Sequence, residues 1–253
     1  MKEFKKDQLN VKVFETRAQV GAAAAEAFCQ KVQELLQTKE YVNVIFASAP
    51  SQNEFLEELK KKDIDSSRIN AFHMDEYVGL DKDAPQGFGN FLKDRLFTDV
   101  NCREVHYLNG NAEDPEQECI RYADLLQKYP TDIVCLGIGE NTHLAFNDPH
   151  VADFNDPKIV KVVDLDEQCR LQQVNDGCFA SLEEVPKLAL TITIPALFQA
   201  RYAAAVVPGE LKANAIYHTI HSEMTERYPS TILRRHNNAT LYIDEKSAQK
   251  AWQ

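Results

Sequence analysis

The stretch "TDIVCLGIG", residues 131–139, is apolar at almost every position and then leaves through two glycines. A strand with one wet face alternates apolar and polar side chains, so a run this continuous reads as a strand covered on both faces. Such a strand needs layers above and below it, and the flanking segments supply them. "YVNVIFAS", "RINAFHM", "KIVKVVDL", "KLALTITI", "YAAAVVPG" and "ATLYID" are strand-like in length and β-branched or aromatic content. Among them, "QVGAAAAEAFCQKVQELLQ" sets Val20, Ala24, Phe28, Val32 and Leu35 at helical spacing. "PSQNEFLEELKKK" turns Phe55, Leu56 and Leu59 to one side, with Ser51 as its candidate cap. "FGNFLKDRLF", "PEQECIRYADLLQKY" (entering at Pro115) and "ELKANAIYHTIH" are also helical, "DEYVGL" reads as a loop, and the chain closes on a short helix. Alternation of this kind predicts an α/β fold with a mostly parallel central sheet and helices on both faces. No linker, low-complexity tract or repeat interrupts residues 1–253, which read as one domain.

Composition narrows the partners. A chain that is 44% hydrophobic and 26% charged matches an ordinary globular protein with a sizeable core. Its formal charge of -11 argues against nucleic acid, because phosphate backbones are held by clustered Lys and Arg. A small anion stays compatible, since a few local cations outweigh a distant acidic surface. Cys29, Cys102, Cys119, Cys135, Cys169 and Cys178 are scattered without a CxxC pair, which suits a reducing, cytoplasmic setting. "MKEFKKDQLN" has no apolar run behind its lysines, so no secretory signal is expected. Nor does any stretch approach the roughly 20 apolar residues of a membrane span, so no membrane partner is expected.

In open α/β sheets ligands bind beyond the carboxyl ends of the strands. That rule singles out "ASAPSQ", "MDEY", "GIGENTHLAFND" and "VVPGELK" as exits that should converge on one edge. Asp75 and Glu76 leave a strand as neighbours and so point in different directions, which leaves one carboxylate as a candidate general base. The plainer alternative is an acid that caps a turn. Gly139 lets the next loop fold tightly around His143, which Glu140, Asn141, Asn147 and Asp148 surround. A histidine so placed can be held in one tautomer and exchange protons near neutral pH. Neither a second histidine nor a cysteine accompanies His143 at ligand spacing, so no metal is expected. The Ser48 and Ser51 hydroxyls, with Gln52 beside them, stand where a helix start can cradle a phosphate, although no Walker GK[ST] is present. Lys212 opens the helix after "VVPG", where a bound anion would relieve its conflict with the helix dipole.

"HMDEYVGL", "LNGNAEDPEQEC", "LGIGENTHLAFNDP", "VPKLALTITIPAL" and "VVPGELKANAI", in this order from about Tyr41 to Asp244, resemble the glucosamine-6-phosphate deaminase/isomerase family, to which 6-phosphogluconolactonases are related. The resemblance implies a Rossmann-like three-layer α/β/α sandwich that binds no nucleotide and needs no cofactor. It also implies the conversion of glucosamine 6-phosphate, a small phosphorylated amino sugar, into fructose 6-phosphate and ammonia. By the same resemblance Asp75 matches the base that moves a proton between C2 and C1, and His143 the group that assists ring opening. Asp148 stands in the "FNEP" position beside that histidine, and Lys212 matches the phosphate-binding lysine.

Departures from the family pattern are specific. Where relatives read "GNDGH", this chain reads "GENTH", so Asn141 replaces an acid and Thr142 a glycine. Asp148 is one methylene shorter than Glu, and "SAPSQ" lacks the glycine of "TGGT"-type phosphate loops. "CRLQQVNDGCF" offers Arg170 without the "SRFF" pattern of a second cationic phosphate ligand. "HVADFNDPKIVKV" replaces the stretch of the allosteric members. Lactonase relatives lean to "DER" and a "DGHTASLF"-type loop, so "DEY" and "HLAFND" favour the deaminase over a lactonase, another phosphosugar isomerase or a weakened phosphosugar sensor. The sequence leaves assembly as a homo-oligomer open.

Overall fold

The computed structural model describes residues 1–252. The chain opens with a hairpin of β1 (Lys2–Lys6) and β2 (Leu9–Phe14), where Leu9, Val11 and Val13 are buried in alternation. Helix α1 (Arg17–Leu36) starts at Thr16, whose hydroxyl accepts from the Gln19 N–H. There follow β3 (Val42–Phe46), α2 (Asn53–Leu59), β4 (Ile69–His73), β5 (Asp75–Tyr77), α3 (Phe88–Leu92) and β6 (Glu104–His106). Asp114 accepts from the Glu116 and Gln117 N–H groups to cap α4 (Pro115–Lys128). The rest is β7 (Ile133–Leu136), β8 (Val160–Asp164), α5 (Glu167–Asn175), β9 (Leu188–Ile192), α6 (Ile194–Phe198), β10 (Tyr202–Val206), α7 (Ala213–His221) and β11 (Ala239–Asp244).

Eight strands form the main sheet in the order β1-β2-β11-β10-β7-β3-β4-β6, parallel except for the β1–β2 pair. Strand β7 lies near the centre, and its side chains divide between two cores as its unbroken apolar character requires. Ile133 and Cys135 pack with Val20, Phe28 and Phe55 of α1 and α2. Val134 and Leu136 pack with Tyr122, Leu197 and Ile216 of α4, α6 and α7. Strand order reverses between β3 and β7: the chain moves outward to β4 and β6 from one, and to β10 and β11 from the other. That reversal opens a crevice at their carboxyl ends.

Several local readings are corrected. "DEYVGL" is no simple loop: Asp75–Tyr77 is β5, antiparallel to β9 in a separate β5-β9-β8 sheet. Its pairing partners are remote in sequence, which is why three residues carry no strand pattern of their own. Ser51 does not cap α2; it lies in a 3-10 turn at Pro50–Gln52, and its Oγ accepts from Gln52 Nε2 at 3.1 Å. Residues 245–252, after β11, form turns instead of a helix. Strands β1 and β6 and helix α5 carry too few apolar residues to be read from periodicity, whereas β2 does alternate, through Leu9, Val11 and Val13, and went unread beside the lysine-rich β1.

Candidate active site

The strand exits meet. Ala47, Ser48 and Ser51 follow β3, Asp75 follows β4, Gly137 and His143 follow β7, Lys212 follows β10, and all line one cavity beyond the sheet. Phe88 and Phe146 wall it, and Gln172 and Gln173 close it from α5. A larger hollow behind Glu76 is lined by Asn90, Lys93 and Tyr107, but it contains none of the other strand-exit groups.

Asp75 and Glu76 diverge as adjacent strand residues must. Glu76 turns away from the cavity and its oxygens accept from the N–H groups of Tyr77, Phe88 and Gly89 at 2.9–3.0 Å, fixing the start of α3. Asp75 is 6% exposed, faces the cavity and receives no hydrogen bond among the described residues. Burial, with the charge of Glu76 behind it, pushes its carboxyl well above the usual carboxylate range. A carboxylate that is poorly solvated and unpartnered is a strong proton acceptor.

The loop after β7 is folded on itself. Gly139 N–H donates to His143 O at 3.0 Å, and Thr142 N–H donates to Gly139 O at 2.9 Å. A methyl group on Gly139 would be driven into the His143 ring. Thr142 has φ +76° and Ala145 φ +48°, a region costly for residues with a Cβ. Buried contacts hold Thr142 there: it is 1% exposed and its carbonyl accepts from Ser230 N–H at 2.9 Å. We expect Gly139→Ala to cost about 2 kcal/mol of stability, as overpacking does, and to lower turnover by displacing the ring. Urea unfolding and kcat check this; an active variant of unchanged stability would show that the ring position is immaterial.

His143 Nδ1 lies 3.0 Å from Asp148 Oδ1, close enough for a pair although the ring N–H is not aimed squarely at the oxygen. Asp148 is fully buried. Burial alone would raise its carboxyl, but the hydrogen bond and charge of His143, the Asn141 amide and the Asp166 N–H outweigh it and lower the carboxyl. Asp148 is therefore the ionised partner and Asp75 the proton-hungry one. Asn147 serves the scaffold, donating to Leu144 O and Ile192 O. Glu140 sits half-buried on the rim, its carboxyl raised by burial against the opposing pull of Lys212.

At the other end, the Lys212 ammonium is 8% exposed and makes no ion pair or hydrogen bond among the described residues. Burial lowers its proton affinity, and Asp176 and Glu140 oppose that from a distance. The Ser48 hydroxyl is buried without a partner in the same cavity. An unpaired cation beside an unpaired hydroxyl is a ready anion site, because the bound anion supplies the missing interactions. Gln52 does not reach the cavity: its Nε2 donates to Val206 O at 3.0 Å and to Ser51 Oγ, tying the β3 exit to β10. Arg170 is likewise occupied elsewhere, by Leu182 O and Val185 O.

Sequence reasoning missed Gln172 and Gln173, because polar α5 gave no apolar period. Gln172 Oε1 accepts from Glu140 N–H at 2.8 Å, and Gln173 is 6% exposed beside the cavity. Cys169 on the same helix corrects another reading, since it does accompany His143: ring nitrogen, Asp148 oxygen and Cys169 sulfur lie within 4.8 Å of one another. Burial first, and then the neighbouring Asp148 carboxylate, push that thiol up, so it stays protonated. Among the described residues no helix is long and apolar enough to cross a membrane.

Known proteins share this architecture and sequence. The family described as "Glucosamine-6-phosphate isomerases/6-phosphogluconolactonase" matches residues 15–242. A glucosamine-6-phosphate deaminase of Exiguobacterium sp. is 39% identical over 191 residues, 76% of this chain and 73% of its own. One of Bacillus cereus is 34% identical over 223 residues, 88% of this chain and 83% of its own. Among solved structures, a monomeric glucosamine-6-phosphate deaminase superposes with TM-score 0.87 at 29% identity, covering 95% of this chain and 99% of its own. A 6-phosphogluconolactonase of Thermotoga maritima, at TM-score 0.75 and 21% identity over 93% of this chain and 99% of its own, shares the fold. With sequence and architecture agreeing over most of its length, the chain belongs to the glucosamine-6-phosphate isomerase/6-phosphogluconolactonase family of enzymes.

Proposed function

We propose that this chain, as a single catalytic domain in the cytoplasm, converts glucosamine 6-phosphate and water into fructose 6-phosphate and ammonia. The observation that carries the reading is one cavity with an unpaired buried carboxylate, Asp75, and an unpaired buried cation, Lys212. Lys212 and Ser48 hold the phosphate, a remote handle whose binding energy positions the reacting carbons. His143, oriented by Asp148, moves the proton between the ring oxygen and the C1 hydroxyl, opening the pyranose to an aldehyde. The aldehyde acidifies the C2 hydrogen. Asp75 takes that proton and returns it at C1, so the C1–C2 enolamine becomes a C2 iminium. Water adds at C2, the C–N bond breaks, and ammonia leaves as the ketone forms. Gln173 faces the cavity as a neutral donor and acceptor for sugar hydroxyls.

The test is an assay of ammonia and fructose 6-phosphate together from glucosamine 6-phosphate. We expect the two in equal amounts. Ketose without ammonia from a non-amino aldose phosphate moves the assignment to a plain isomerase, and opening of a phosphosugar lactone moves it to a lactonase. Phosphosugar binding with neither product leaves a sensor.

A further inference from the structure

The Asn141 amide stands between two carboxylates. Its Nδ2 donates to Asp148 Oδ1 at 2.9 Å and to Asp166 Oδ2 at 3.2 Å, while its Oδ1 accepts from the His143 backbone N–H at 3.1 Å. Only one amide orientation satisfies all three, because the flipped one sets an oxygen against both acids. Asp166 is itself fixed: Oδ1 accepts from the Cys169 N–H at 2.6 Å to cap α5, and its own N–H donates to Asp148 Oδ2 at 3.2 Å. Both oxygens of the buried Asp148 therefore depend on Asp166, one through its backbone and the other through Asn141.

We propose that Asp166 is a positioning residue for the His143–Asp148 pair, its carboxylate locking the Asn141 amide that aims Asp148 at the imidazole. The geometry also accounts for an amide at position 141. An aspartate there would put a third carboxylate 2.9 Å and 3.2 Å from the other two. Asp166 further links proton handling to α5, whose first turn it caps and whose Gln172 and Gln173 close the cavity. The catalytic meaning of this role rests on the function proposed above.

The charges around His143 make the inference measurable. Asp148 and Glu140 neighbour the ring from its own loop, the Cys169 thiol from the start of α5, Asp75 from the β4–β5 junction and Lys212 from across the cavity, while Asp166 stands behind the Asn141 amide. Asp166→Asn removes the half-buried negative charge behind Asn141 and sets two amide donors face to face, yet keeps a side chain that caps α5. The ring-nitrogen resonances of 15N-histidine-labelled protein at fixed pH, with His143 assigned by its loss in His143→Gln, read the effect without substrate. The His143 Nδ1 resonance is expected to move in Asp166→Asn, because releasing the Asn141 amide changes how Asp148 Oδ1 meets that nitrogen, while the other histidines keep their positions. With glucosamine 6-phosphate, kcat is expected to fall about tenfold, the scale of one charge-assisted hydrogen bond, while KM stays within about twofold.

An unmoved His143 Nδ1 resonance overturns the inference, whatever the activity, and so does a loss carried by KM alone. If the wild-type chain does not turn over this sugar, the proposed function fails while the Nδ1 resonance still decides the role of Asp166. Asp166→Ser, which removes the charge but retains a capping hydroxyl, replaces Asp166→Asn should that variant not fold, with the same shift expected.

Discussion

Asp75→Asn is expected to abolish turnover, by roughly a thousandfold or more on the scale of positioned acid–base groups, and at the same time to stabilise the protein. Both effects have one origin. Burial and the Glu76 charge hold the Asp75 carboxyl well above its ordinary value, so the folded state binds more protons there than the unfolded state. Stability then falls as pH rises from the ordinary carboxylate value through the raised one. An amide of the same shape has no charge to desolvate, and each kcal/mol recovered raises Tm by roughly 2–4 °C in a chain of this size. The raised carboxyl also places the acid limb of kcat/KM above the usual carboxylate range, because the base must be ionised to act. Melting curves and the pH profile check this. A melting point that falls with activity would mean that Asp75 is structural.

Lys212→Met is expected to raise KM roughly 10–100-fold, the scale of a lost charge-assisted contact to phosphate, with a smaller effect on kcat. The ammonium is buried without a partner, so the empty site carries an uncompensated charge that a phosphate relieves. Glucosamine 6-phosphate at about a hundred times its Kd should stabilise the wild-type chain by about 2.7 kcal/mol, or roughly 5–10 °C in Tm. That ligand shift should largely vanish in Lys212→Met, whose unliganded form melts at or above the wild-type temperature. A wild-type KM in this variant would move the phosphate elsewhere, for Lys212 is the one cationic side chain among the described residues that line the cavity.

How much of this was legible varied with how local the cause was. Strand β7 announced itself because apolar residues on both faces have no other explanation, and Ile133 and Val134 indeed enter opposite cores. The convergence of Ser48, Asp75, His143 and Lys212 was readable for the same reason: parallel strands deliver their exits to one edge. What escaped depended on contacts between distant segments. Asp75–Tyr77 looks like a loop until β9 pairs with it, and α5 is too polar to show a period. Its Cys169, Gln172 and Gln173 therefore reach the site only in three dimensions. Gln52 and Arg170 had the right chemistry, but backbone carbonyls claim their donors. Asn141 stood out in the sequence as an amide in place of an acid. Its reason appears only with Asp166, a partner no spacing rule connects to it.

The central claim is that Asp75 carries the proton between C2 and C1 in a reaction that releases ammonia. The most direct measurement is a single turnover of glucosamine 6-phosphate by excess enzyme, with wild-type and Asp75→Asn side by side and sugar and ammonia both quantified. We expect equal fructose 6-phosphate and ammonia from the wild-type chain, and from Asp75→Asn a sugar that is bound yet recovered unchanged. Turnover by Asp75→Asn within about tenfold of wild type, well inside the span of acid–base catalysis, would contradict the account.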